Sequence, residues 1–176
     1  MKHKKILLTK EEIERRLDEV AGEVEKYYST LVTENNPLAF VVVLKGAYFV
    51  ATELAKRLNL PLTMHFIRLK SYSGRKSTGE VNLIFGVDEN MKNRHVLIVE
   101  DIVDTGLTVK FLKDYFEVMS PASCEVFTLL RKPASLKYDV DVKFCCFDIE
   151  DKFVYGYGLD LDEVWRNLPF VAYVEN

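Results

Sequence analysis

No apolar run in this chain exceeds the seven residues from Leu38 to Leu44. A membrane-spanning helix needs roughly 18, so no membrane partner is expected. The opening MKHKKILL is basic, but its apolar stretch is only Ile6 to Leu8, and a secretory leader needs about 7–15 such residues. Cysteine is scarce. Cys124, Cys145 and Cys146 form an odd set without framework spacing, the pattern of reduced thiols in a cytoplasmic protein. Neighbours in a strand point to opposite faces, so Cys145 and Cys146 are not expected to pair. Positive charge is not in excess either: 27 acids face 24 bases, a net charge of -3. Nucleic-acid binding usually needs a strongly basic face, so no nucleic-acid partner is expected. No repeat, low-complexity tract or linker divides the 176 residues, and the length suits one domain, 1–176.

What is present is periodic. Thr9-Lys10-Glu11-Glu12 has capping-box spacing. Ile13, Leu17, Val20, Val24, Tyr27, Tyr28 and Leu31 then recur at helical intervals, which predicts an amphipathic helix over 10–32. LAFVVVL (38–44) reads as a strand covered on both faces. A helix follows through Phe49, Val50, Leu54 and Leu58, then strands at 62–69, 81–87 and 95–103. The polar run 71–80 between the first two of these reads as a loop. Val109, Leu112, Phe116 and Met119 predict a further helix, and 124–130 and 142–147 two more strands. Strand and helix alternation through 38–130 points to an α/β fold, a central, mostly parallel sheet flanked by helices. The less regular segment 148–176 is left to form a small appendage.

The stretch that carries chemistry is VLIVEDIVDTGLTV, residues 96–109. A buried strand ends in adjacent carboxylates, Glu100 and Asp101, and Asp104-Thr105-Gly106-Leu107-Thr108 leads into a helix. Ligands of open α/β sheets bind beyond the carboxyl ends of the strands. A Gly- and hydroxyl-bearing turn at a helix N-terminus offers free N–H groups and a favourable dipole to a phosphate. The carboxylates would repel that phosphate and suit a polyol or a hydrated Mg²⁺ instead. Together they describe a ribose 5-phosphate site. An acidic loop with a Thr cap explains the same residues on propensity alone, and physics by itself leaves the two readings level.

The segment resembles the phosphoribosyl pyrophosphate (PRPP) signature of the type I phosphoribosyltransferases. That resemblance implies that Glu100 and Asp101 bind the ribose hydroxyls, that Thr105, Gly106, Leu107 and Thr108 hold the 5-phosphate, and that Asp104 belongs to the same ribose 5-phosphate site. Some members carry Lys where this chain has Leu107. Four further stretches resemble the hypoxanthine-guanine branch, whose fold adds a small hood built from the chain-terminal segments. Leu44-Lys45-Gly46 is similar to its pyrophosphate loop, in which the Leu-Lys peptide is often cis. Ser71-Tyr72 is similar to its mobile lid. Lys132, Phe153 and Val154 match its purine-binding positions, with Lys132 donating to O6 of the base. Gly158 to Glu163 with Arg166 resembles its C-terminal stretch, where Asp160 belongs beside the purine and a metal and Arg166 reaches pyrophosphate.

The resemblance implies an enzyme of purine salvage that converts hypoxanthine or guanine plus PRPP to IMP or GMP plus pyrophosphate through an oxocarbenium-like transition state. Mg²⁺ is the implied cofactor, with Glu100, Asp101 and Asp160 as its carboxylates. Asp104 is the implied acid/base, and a homodimer or homotetramer the implied assembly. Three alternatives stand beside this reading. One is a PRPP-binding RNA attenuation regulator with residual uracil phosphoribosyltransferase activity. A phosphoacceptor receiver domain also ends strands in paired acids, but a Thr-Gly-x-Thr helix start is foreign to it. A dinucleotide dehydrogenase is disfavoured because no Gly-x-Gly-x-x-Gly follows a strand.

Overall fold

The computed structural model describes residues 5–71 and 81–175. The capping box forms: Glu12 N donates to Thr9 Oγ1 at 3.2 Å, and Thr9 N donates to Glu12 Oε2 at 2.8 Å. These bonds open α1 (Lys10–Tyr28), which follows the short strand β1 (Lys5–Leu8). Its apolar stripe of Ile13, Leu17, Val20, Val24 and Tyr28 is fully buried. The helix stops four residues before the predicted end. Ser29 Oγ bonds back to the Lys26 carbonyl at 3.3 Å, a local alternative to continuing the helix, and Leu31 turns out to solvent while Val32 turns in.

β2 (Leu38–Leu44) pairs in parallel with both β3 (Leu62–Ser71) and β5 (His95–Val103). Being central, it is covered on both faces, and this is why its sequence is a continuous apolar run. α2 (Tyr48–Arg57) follows β2, and α3 (Leu107–Glu117) links β5 to β6 (Ser123–Arg131). β7 (Phe144–Asp148) closes the far edge, starting two residues later than predicted. β4 (Val81–Phe85) pairs antiparallel with β3, so the expected strand–helix alternation is broken between β3 and β5. The resulting order is β4-β3-β2-β5-β6-β7, five parallel strands with one antiparallel edge. α1 and α2 pack on one face around Phe40, Val42 and Phe127, and α3 packs on the other around Val41, Ile98 and Val126. Cys145 and Cys146 fall on opposite faces accordingly, and all three cysteines are free.

The chain ends build a second, three-stranded sheet. β9 (Val171–Tyr173) lies between β1 and β8 (Val154–Tyr155), antiparallel to both. This is the hood. No helix among the described residues is long and apolar enough to cross a membrane.

Candidate active site

From β2 the chain steps to β3 on one side, and from β5 it steps to β6 on the other. The carboxyl ends of β2 and β5 therefore flank the point where the winding reverses, the preferred ligand crevice of an open α/β sheet. A cavity of about 350 Å³ opens there, lined by Val43–Gly46, Leu69 and the run from Glu100 to Val109. The sequence-predicted acids, the hydroxyl turn and the Lys45-Gly46 loop thus share one cavity.

The acid pair is costly to hold. Glu100 is 4% exposed, and its Oε1 has no hydrogen-bond partner among the described residues. Burial, with the neighbouring Asp101 charge, pushes its carboxyl well above the ordinary value. Burial also raises Asp101 to about 6, opposed by a hydrogen bond from Ile102 N to Oδ1 at 2.8 Å. Buried acids without a matching cation are ready to accept hydroxyl protons or a hard cation. Gly46 lies directly on this pair: a Cβ there would sit 1.6 Å from Asp101 Oδ2.

The phosphate cradle is equally specific. Gly106 adopts φ +84, and a Cβ would come within 3.1 Å of the Tyr138 carbonyl and Val140. The left-handed turn lets α3 start at Leu107, ahead of its first i to i-4 bond from Lys110 N to Gly106 O. Leu107 and Thr108 line the cavity at the start of the helix, with its dipole behind them, and Leu107 N donates to Thr105 Oγ1 at 3.4 Å. Lys137 N and Tyr138 N both donate to the Thr105 carbonyl and brace the turn from outside.

A second group gathers at the end of β6. Lys132 is 7% exposed, and its ammonium lies 3.1 Å from Asp151 Oδ1 and 3.7 Å from Asp104 Oδ2. Its amide donates to the Val103 carbonyl at 2.9 Å, tying it to the β5 turn. Phe153 is 56% exposed, which removes the core-packing explanation for that ring. Val154 turns its side chain into the hood core while its backbone pairs with Tyr173. Trp165 is 43% exposed.

The 158–166 segment closes the third side. Gly158 packs against the Gly46 carbonyl, where a Cβ would meet the oxygen at 2.1 Å. Arg166 pairs with Asp160 at 2.5 Å and donates to the Gly158 carbonyl at 2.8 Å. Asp160 thus stands with Arg166 on the acid-pair side. The Leu44–Lys45 peptide is cis. Of the expected lid, Tyr72 lies outside the described residues, and for Ser71 only the backbone, at the end of β3, is described. Sequence reasoning missed two participants: Asp151, the partner of Lys132, and Glu163, which pairs with Lys45 at 2.6 Å. Neither stands in a spacing that marks it, because both contacts bridge separate loops.

Among the described residues no three His, Cys, Asp or Glu side chains converge to cage a metal. Oxygen donors and an unpartnered buried carboxylate nevertheless suit Mg²⁺, which commonly keeps waters and substrate oxygens around one or two carboxylates.

A glycine turn at a helix N-terminus beside two acids, at the carboxyl edge of a mostly parallel sheet, is an arrangement suited to a phosphate next to a diol. The family profile of the phosphoribosyl transferase domain matches residues 9–162. The hypoxanthine-guanine-xanthine phosphoribosyltransferase of Tritrichomonas foetus is 38% identical over 169 residues, 96% of this chain and 90% of the relative. The hypoxanthine-guanine phosphoribosyltransferase of Streptococcus thermophilus is 38% identical over 96% of this chain and 92% of its own. The hypoxanthine phosphoribosyltransferase of Trypanosoma cruzi, solved with its product IMP, superposes with a TM-score of 0.91 at 35% identity, over 99% of this chain and 95% of that one. The chain belongs to the phosphoribosyltransferase family, in its hypoxanthine-guanine branch.

Gly46→Ala should then be severe for a local reason. The new methyl occupies the Asp101 carboxylate position, and displacing a reacting constellation by about 1 Å can cost roughly 10²-fold. We expect a loss of that order in kcat/KM for PRPP, measured at saturating base.

Proposed function

We propose that this protein transfers the phosphoribosyl group of PRPP to N9 of hypoxanthine or guanine, releasing pyrophosphate and yielding IMP or GMP. The observation that carries the base assignment is the buried Lys132 ammonium 3.7 Å from Asp104. The N7–H tautomer of a free 6-oxopurine, which leaves the N9 lone pair for attack, presents an acceptor at O6 beside a donor at N7. Lys132 donates to O6, and Asp104 takes the N7 proton as N9 attacks. Adenine offers an amino donor where Lys132 needs an acceptor, and a site built around one hydrogen bond rejects analogues that cannot make it. Phe153, exposed beside this corner in sequence, stacks on the purine, and Val154 contributes backbone groups.

Glu100 and Asp101 accept the ribose hydroxyls, and Thr105, Gly106, Leu107 and Thr108 hold the 5-phosphate. Lys45, Gly46, Ser71, Tyr72 and Arg166 bind pyrophosphate. Glu100, Asp101 and Asp160 are the carboxylates that would hold Mg²⁺, whose chemistry when bound is to neutralise the leaving pyrophosphate. The C1–O bond breaks ahead of attack, so the ribose ring carries positive charge close to the acid pair. The whole chain acts as one catalytic unit. Free thiols accord with a cytoplasmic setting, and the branch resemblance favours a homodimer or homotetramer.

The test is a base panel. Protein, PRPP and Mg²⁺ are mixed with hypoxanthine, guanine, xanthine, adenine or uracil, and nucleotide formation is followed by ultraviolet absorbance. Turnover of 6-oxopurines without adenine is expected. Turnover of uracil alone would overturn the purine assignment. Lys132→Met in the same assay should lower kcat/KM for hypoxanthine by roughly 10–10²-fold, the worth of a hydrogen bond to a charged group. Its rate on adenine should not fall in step.

A further inference from the structure

Glu163 is an acid of the described site to which the reading above gives no role, yet it sits between that reading's pyrophosphate ligands. Its Oε2 lies 2.6 Å from Lys45 Nζ, and its Oε1 lies 3.7 Å from Arg166. Arg68 adds a third positive charge at longer range. The backbone reaches this position through consecutive positive φ angles, 55 at Asp162 and 66 at Glu163. One carboxylate therefore spans two cations, as a bridging phosphate would.

We propose that Glu163 is a resident counter-ion which the incoming pyrophosphate group displaces, so that it sets the affinity for PRPP and pyrophosphate. This inference rests on the assignment of Lys45 and Arg166 to pyrophosphate. The neighbouring acid does not share the role. Asp160 accepts from the Glu163 backbone amide at 2.9 Å and holds Arg166 at 2.5 Å, and it stays as the arginine's anchor. The Glu163 side chain is 68% exposed and bonded only through its rotatable carboxylate, so it can swing to solvent. A diphosphate brings more negative charge and more acceptor oxygens to the same cations, and these replace the carboxylate.

The test is titration calorimetry of the full chain with pyrophosphate, PRPP and hypoxanthine separately, for the wild type, Glu163→Gln and a control, Glu19→Gln, whose pair with Arg16 lies on α1. Exposed ion pairs contribute a few tenths to one kcal/mol. Glu163→Gln should therefore bind pyrophosphate and PRPP about two- to five-fold more tightly at low salt. The gap should narrow as salt screens the competing carboxylate, while hypoxanthine affinity stays put. Unchanged constants would make Glu163 a bystander, and weaker ones would make it a brace for Lys45 and Arg166. Either result overturns the proposal. A wild type that binds neither pyrophosphate nor PRPP would instead sink the underlying assignment. If Glu163→Gln fails to fold, Glu163→Asp decides. Its shorter carboxylate cannot span both cations, so binding should again tighten, and a misfolded Asp variant would mark the residue as structural and end the proposal.

Discussion

Asp104→Asn is expected to slow nucleotide formation roughly 10²–10⁴-fold, the usual contribution of a positioned general base, with PRPP affinity nearly unchanged. Asparagine keeps the shape and the hydrogen-bonding reach of the side chain but cannot take a proton. The backbone of this turn is fixed independently of the carboxylate: Lys132 N holds the Val103 carbonyl, and Lys137 N and Tyr138 N hold that of Thr105. The phosphate cradle should therefore survive the substitution. The carboxylate itself is half exposed to the cavity, where a base can reach it. Single-turnover measurement separates the chemical step from binding and release, and PRPP affinity follows from titration without base. A parallel collapse of binding and rate would reassign Asp104 to holding the loop.

The contrast between Asp104 and Asp151 shows where sequence reading stops. Asp104 stands inside a continuous pattern, a buried strand followed by acids and a glycine turn, and each part of that pattern has a local cause. The strand is apolar because α1 and α2 cover one face of the sheet, where Leu97 and Val99 lie, and α3 the other, where Val96 and Ile98 lie. Gly106 is glycine because φ is +84 there. Such causes act within a few residues and leave a legible trace. Asp151 meets Lys132 across 19 positions, and Glu163 meets Lys45 across 118. Those contacts exist only once the sheet has brought the loops together, so nothing near either acid in the sequence announces them. The misplaced end of α1 has the opposite origin. Leu31 continues the helical spacing, yet a serine hydroxyl at Ser29 competes locally, and the burial of Val32 rewards the turn. The antiparallel direction of β4 was not legible for a further reason: strand periodicity carries no direction, and only the pairing with β3 supplies it.

The acid pair should behave as a site that is stabilised when it is disabled. Glu100 and Asp101 are both raised by burial, Asp101 from an ordinary 3.8 to about 6. Folding therefore favours their protonated forms. For Asp101 this contribution to stability is fully present below the unfolded-state value of 3.8 and is lost as pH rises through about 6, and for Glu100 it is lost as pH rises through that carboxyl's own raised value. At pH 7 the free protein carries the Asp101 charge beside Glu100, whose Oε1 lacks a partner among the described residues. Glu100→Gln and Asp101→Asn remove the charge while preserving the shape. Asp101→Asn is expected to raise the unfolding free energy at pH 7 by about 1–3 kcal/mol, the scale of its rise from 3.8 to about 6, and Glu100→Gln to act in the same direction. Below pH 4 the gain should vanish, because the wild-type acids are then neutral too. The same substitutions should weaken PRPP binding roughly 10²–10⁴-fold when combined, since two charge-assisted hydrogen bonds to the ribose diol are lost. Denaturant titrations at pH 4 and pH 7, run beside PRPP calorimetry, measure both effects on the same samples. Variants that lose binding and stability together would show that the acids hold the fold rather than the sugar. Stability gained at pH 7 and binding lost would identify a pair of charges kept out of water for the ligand alone, the exchange of stability for function expected of a preorganised site.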